Sequence, residues 1–207
     1  MKGVATMKKI ITIGRQFGSG GRAIGRMLAD QLGYSFYDKE ILSAAAKKLG
    51  VCEALLEQNS ESASSLSTFI YNALLNNREQ SFEDKLAKQE FDYLRKQTKK
   101  GPCVIIGRCS SWLFRDNPDT LSIFVTAPTE KRVDRLLALH QDYGLEEGDR
   151  EEAQRLILQT DKKRASYYNY YTDQHWDDLS QYHLILDSTV LGIENTASVL
   201  AELIRRT

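Results

Sequence analysis

Between Lys9 and Gly14 the chain reads Ile10-Ile11-Thr12-Ile13, apolar and β-branched with no polar face, which predicts a short strand covered on both sides. After Gly21 the apolar residues Ile24, Met27, Leu28 and Leu32 recur at three- and four-residue steps. A glycine-rich turn therefore feeds an amphipathic helix that stops at Gly33. Residues 34–37 predict a second strand, with Asp38 at its carboxyl end and a helix over about 40–49. From 51 to 100 the pattern is helical and rich in charge, broken by a serine-rich run over 60–67 that reads as a joint. Apolar runs at 103–106, 121–126 and 182–186 complete five strands, with Thr129 the expected cap of the helix after the fourth and 193–204 the closing helix.

Short apolar strands alternating with helices predict an α/β fold, a five-stranded parallel sheet flanked by helices on both faces. Ligands of such sheets sit beyond the carboxyl ends of the strands. Here that edge collects residues 14–22, Asp38, Gly107-Arg108 and Thr126.

Composition narrows the partners. At 207 residues with 42% hydrophobic positions, the chain is long enough to bury a core without disulfide or metal support, and its length suits one domain carrying an insertion. The 28 basic residues balance 28 acidic ones. No general basic field for nucleic acid exists, and any anion site must be local. Cys52, Cys103 and Cys109 form an odd set without metal spacing, and no apolar run is long enough for a signal core or a membrane span. A cytoplasmic protein with no nucleic-acid or membrane partner is the expectation.

The strongest local signal is Arg15-Gln16-Phe17-Gly18-Ser19-Gly20-Gly21-Arg22, between strand and helix. Glycines there let backbone N–H groups converge on a phosphate, and the helix start adds its positive dipole. The spelling departs from G-x-x-x-x-G-K-[ST], with Arg15, Gly21 and Arg22 where Gly, Lys and Ser or Thr would stand. Arg22 replaces the lysine's charge with a bidentate fork. A plain glycine turn that packs helix on strand is the alternative reading.

Beyond the loop, the chain resembles the nucleoside monophosphate kinases, and among them the cytidylate kinase-like proteins. Gly107-Arg108 resembles the family's Gly-Arg-Asp. The stretch from Phe124 to Arg132 resembles its strand-to-helix segment ending in Glu-x-Arg, and Leu186-Asp187-Ser188-Thr189 resembles its C-terminal segment. Asp161-Lys162-Lys163-Arg164 is similar to the second half of its arginine-rich lid, with Ile157 in place of the lid's first arginine. The likeness runs along the chain except for about 51–100.

That resemblance implies a single P-loop kinase domain, with a core over 7–38 and 101–207, a helical acceptor-binding insertion at about 39–100 and a lid at about 146–172. It implies ATP with Mg²⁺ and a small phosphorylated acceptor, most simply CMP or dCMP. In this reading Gly18, Ser19, Gly20, Gly21 and Arg22 bind ATP, and Lys39, Arg108 and Asp161 bind the acceptor. Arg22, Arg164 and Asp38 serve catalysis, with Arg164 reaching the moving phosphoryl on lid closure. No direct metal motif exists, and Asp38 is the carboxylate placed to hold Mg²⁺ through water or orient the acceptor phosphate. Capping of the next helix is the structural alternative for Asp38. Ala44, Cys109 and Ile106 replace an arginine, an aspartate and an acidic residue of the family pattern. Two rival functions follow, a kinase of another small metabolite and a catalytically silent nucleotide-binding module.

Overall fold

The computed structural model describes residues 8–48 and 82–206. Cys52, the serine-rich run and the rest of 49–81 lie outside the described residues. The chain divides into two compact units, Met1–Phe36 with Gly101–Thr207, and Tyr37–Lys100.

In the first unit, strand β1 (Ile10–Arg15) lies between β3 (Cys103–Ile106) and β4 (Thr120–Thr126), paired in parallel with both. The sheet order is β2-β3-β1-β4-β5, where β2 is Ser35–Tyr37 and β5 is Leu184–Asp187, parallel to β4. Helix α1 (Gly21–Leu32) and the last helix, α8 (Ser188–Arg205), share a core with the sheet. Ile11, Ile13, Ile24, Leu28, Val104, Ile106, Ile123, Val125, Leu200 and Ile204 are all essentially excluded from solvent there. The continuous apolar runs of β1 and β3 are thereby explained, since a central strand must bury both faces.

A second, smaller cluster forms where α5 (Thr129–Ala138) meets α7 (Arg150–Thr172), with the short α6 (His140–Tyr143) between them. It contains Phe17, Val133, Leu136, Leu145, Ala153 and Ile157. The other unit pairs α2 (Lys39–Lys48) with α3 (Phe82–Gln97), burying Ile41, Ala45, Ala87 and Leu94. The Tyr37 and Tyr93 rings meet edge to face at 6.2 Å.

Three boundaries differ from the expectation. Thr129 is the first helical residue and Pro128 the cap position, without a side-chain cap bond. The threonine hydroxyl instead accepts from Arg132 Nη2 at 3.2 Å, so a side-chain partner one turn on has drawn it inward. Tyr182 precedes β5 and packs its buried ring on Phe124 at 4.9 Å, where Gly14 leaves no room for a Cβ. The closing helix expected over 193–204 is the part of α8 beyond Gly192 (φ 77, ψ 169), and α8 adds a turn before it from Ser188, capped by Asp187, which accepts from Thr189 N–H at 2.8 Å. The Thr189 hydroxyl, donating at 2.6 Å, and that N–H hold the Asp187 carboxyl below its usual range.

Leu200→Ala should remove about 2–5 kcal/mol of stability, the ordinary cost of emptying a packed core position. A urea denaturation midpoint essentially equal to that of the parent would contradict this account of the core.

Candidate functional site

The site grows from the end of β1. Gln16 N–H donates to the Val125 carbonyl at 3.0 Å and its amide oxygen accepts from Ala127 N–H at 3.3 Å, tying the loop's first residue to the end of β4. Gly18 (φ 77) and Gly20 (φ 82) then take left-handed backbone, where a side chain is strained. Gly21 serves a different purpose. A Cβ there would lie 2.7 Å from Arg15 Cβ and 3.1 Å from Val125 Cβ, so its absence lets α1 start against the strands.

Helix α1 has Gly20 at its cap position, no side-chain cap bond and no acidic residue in its first turn. Its leading N–H groups and positive dipole end therefore have no counter-charge from the helix itself. Ser188 Oγ donates to the Ser19 carbonyl at 2.6 Å. Because a trans peptide is planar, fixing that carbonyl sends the Gly20 N–H the opposite way. The Ser19 hydroxyl is buried with no hydrogen-bond partner among the described residues, a donor left in reserve at the loop. Arg22 is exposed on the first turn of α1.

Arginines surround this loop. Arg135 Nη1 donates to the Gly18 carbonyl at 2.5 Å, and Arg164 Nη1 donates to the Arg15 carbonyl at 3.3 Å. The Arg164 guanidinium lies 5.2 Å over the Phe17 ring, while Lys162 and Lys163 are exposed on the other side of α7. Asp161 accepts from Phe17 N–H at 2.7 Å through Oδ1 and from Arg132 Nη1 at 2.7 Å through Oδ2. Both of its oxygens are thus turned to the loop and α5, a placement the acceptor-binding expectation does not anticipate.

At the carboxyl end of β3, Gly107 (φ 67), Arg108 (φ 55) and Cys109 (φ 53) take left-handed backbone in succession. For the two non-glycine residues this costs about 1–2 kcal/mol each. Bonds from Gly107 N–H to the Ile13 carbonyl and from Ser110 N–H to the Gly107 carbonyl, each 3.0 Å, hold the turn. The Arg15 guanidinium fills the space that a Cβ on Gly107 would need. Asp38 and Lys39 belong to the other unit. Asp38 precedes α2, its carbonyl accepting from Ile41 N–H at 3.3 Å, and the side chain of Lys39 lies outside the described part of the structure.

A cavity of about 290 Å³ opens where Gly192 breaks α8, lined by Arg135 and by Leu191, Gly192, Ile193, Glu194 and Asn195. It adjoins the loop, because a Cβ on Gly20 would lie 2.8 Å from Ile193 Cδ1 and 3.3 Å from Arg135 Nη1. Desolvation lowers the pKa of this half-buried arginine. Arg15, Arg135 and the cavity escaped the sequence reading. One signal was present, since Arg132 and Arg135 stand three apart on one helix and share a face. Near the end of α7, Tyr168 is buried and donates to Gln181 Oε1 at 2.9 Å, whereas Tyr170 is exposed. Among the described residues no three His, Cys, Asp or Glu side chains converge as metal ligands, and no helix is long and apolar enough to cross a membrane.

Residues 10–190, which span the loop, the Gly107-Arg108 turn and helix α7, match the cytidylate kinase-like family. The chain belongs to that family. A cytidylate kinase from Methanoregula boonei is 26% identical over 192 residues, 92% of this chain and 91% of that protein. An uncharacterized protein from Eubacterium ventriosum has 25% identity and a TM-score of 0.71, covering 97% of this chain and 99% of that one. A shikimate kinase from Bacteroides thetaiotaomicron, at 17% identity, covers 95% of this chain and 98% of its own with a TM-score of 0.55, a likeness of fold. The fold is that of the P-loop kinases.

Two positions where the resemblance implies charge are apolar and packed: Ile106 is buried in β3 against the main core, and Ile157 is fully buried beside Phe17.

The glycines give a direct test. Gly33→Ala (φ 68, nothing within 4 Å of the added carbon) should cost about 1–2 kcal/mol from backbone strain alone, whereas Gly20→Ala adds displacement of Ile193 and should cost more. Equal losses in urea titrations of the two variants would mean that Ile193 does not pack on the loop.

Proposed function

We propose that the protein transfers the terminal phosphoryl group of ATP to a nucleoside monophosphate, with CMP or dCMP as the acceptor. The observation that carries this reading is the uncapped start of α1 behind Gly18 and Gly20, with Arg164 of the lid helix laid along the same loop. Membership of the cytidylate kinase-like family supplies the reaction class.

In this reading Gly18, Ser19, Gly20 and Gly21 receive the ATP phosphates on backbone N–H groups and Arg22 adds a fork of charge. The cavity beside Arg135 receives the nucleotide base. Arg108 holds the acceptor phosphate, whose oxygen attacks in line, so no protein nucleophile is required. Arg164 meets the charge that spreads over the moving phosphoryl. Mg²⁺ fits as an ion carried by the ATP phosphates, since no carboxylate cluster awaits it among the described residues. The ion would neutralise phosphate charge when bound.

A kinase of another small metabolite is the second reading, favoured by Ala44 and Cys109 where the family pattern has an arginine and an aspartate. ADP formation measured against CMP, dCMP, UMP and a panel of small hydroxyl and phosphate acceptors separates the two. Stimulation by CMP or dCMP supports the proposal; stimulation by another metabolite alone transfers it to the second reading. No turnover with any acceptor, alongside intact ATP binding, leaves a silent nucleotide-binding module.

Loss of a charge-assisted phosphate contact costs about 1.5–3 kcal/mol, so Arg22→Ala should weaken ATP binding by about tenfold or more in calorimetry. Arg164→Ala should lower kcat by on the order of a thousandfold with a smaller change in the ATP KM, as expected of a cation felt chiefly in the transition state. Near-full kcat in that variant would remove Arg164 from the reaction.

A further inference from the structure

We infer that Asp161 is a positioning residue that ties the phosphate loop to the lid helix, so that the loop keeps its anion-binding shape only while the helix is seated. The argument starts at Phe17, whose two backbone polar groups are both claimed. Its N–H donates to Asp161 Oδ1 at 2.7 Å, and its carbonyl accepts from Arg132 Nη1 at 3.3 Å. Arg132 in turn donates to Asp161 Oδ2 at 2.7 Å, closing a ring of loop, α5 and α7. The pair is shielded, with 7% of the Arg132 side chain and 16% of the Asp161 side chain exposed. A charge-assisted bond in such surroundings is strong and short, and its rupture leaves a buried charge without its partner.

The side chain of Phe17 reinforces the backbone tie. It is 5% exposed, among Val133, Leu136, Leu145, Ala153 and Ile157, with Tyr143 edge-on at 5.4 Å. Ala153 and Ile157 belong to the lid helix and are wholly buried, so the helix cannot lift without uncovering the loop's own phenylalanine. This accounts for Ile157, since an arginine there would bring a charge into the shared core. Gly18 follows Phe17 directly, and a shift of Phe17 moves the peptide that begins the left-handed turn. The lid helix of this chain is thus a seated wall of the phosphate site, and Asp161 spends its carboxylate on the loop.

The ligand arm of the test rests on the nucleotide-binding reading, while the other arm needs no ligand. In the first, exchange of the Phe17 amide hydrogen is followed by NMR in the parent chain, in Asp161→Leu, and in Gln159→Ala, an exposed position on the same helix. The amide should exchange at least tenfold faster in Asp161→Leu and at the parental rate in Gln159→Ala. If Asp161→Leu does not fold, Asp161→Asn takes its place, since it keeps an oxygen for Phe17 but withdraws one from Arg132, and a smaller acceleration is expected. In the second arm ADP is titrated by calorimetry into the same proteins. The dissociation constant should rise at least threefold with the number of sites unchanged, because mere loss of folded protein lowers the number of sites and leaves affinity alone. An unaltered Phe17 exchange rate, or faster exchange with ADP affinity changed less than threefold, overturns the inference. If the parent chain does not bind ADP, the nucleotide-binding reading fails, and Phe17 exchange alone decides whether the tie exists.

Discussion

A strand buried on both faces and paired on both edges can end in only one way, by leaving the sheet. β1 is such a strand, with β3 and β4 in parallel register beside it. Because its neighbours point the same way, their exits lie at the same edge. The glycine loop, the Gly107-Arg108 turn and the end of β4 are gathered there by the sheet's hydrogen bonding. The bond from Gly107 N–H to the Ile13 carbonyl and that from Gln16 N–H to the Val125 carbonyl carry the ladder to its last rung. What happens beyond that rung is the chemistry of the protein.

A chain with no net charge has assembled a cationic rim at this edge. Arg15, Arg108, Arg132 with Arg135, and Arg164 come from four separate places in the fold, and the uncapped start of α1 adds its dipole. These cations differ in kind. Arg132 pairs with Asp161 at 2.7 Å and is buried, whereas Arg164 lies 3.6 Å from the same carboxylate and is more exposed; each also donates to a backbone carbonyl of the loop.

The departures from the family pattern follow the same logic of exchange between packing and charge. Ile157 and Ile106 stand where charged residues are expected, and both are buried in hydrophobic clusters. Arg15 stands where a glycine is expected, and its guanidinium occupies the space that a Cβ on Gly107 would need. Cys109, in a left-handed turn beside Arg108, is held by its neighbours' hydrogen bonds, and its aspartate-to-cysteine difference has no further structural account.

The sheet, its parallel sense and the position of the glycine loop were legible from residue order, because apolar period and turn residues act over short range and leave their mark in consecutive letters. The loop's glycines were legible for the same reason, whereas Asp161 and Arg164 were singled out by resemblance to a family motif. The caps at Pro128 and Asp187 were not, since a cap is chosen by side chains competing for one N–H, and Thr129 was claimed by Arg132 instead. Only the tertiary structure brought Asp161 to Phe17, 144 residues away in sequence, and placed Arg135 against Gly18 and the break at Gly192. A carboxylate's partner is set by which backbone N–H lies within bonding distance, and over that separation the distance is decided by packing, which no local spacing encodes.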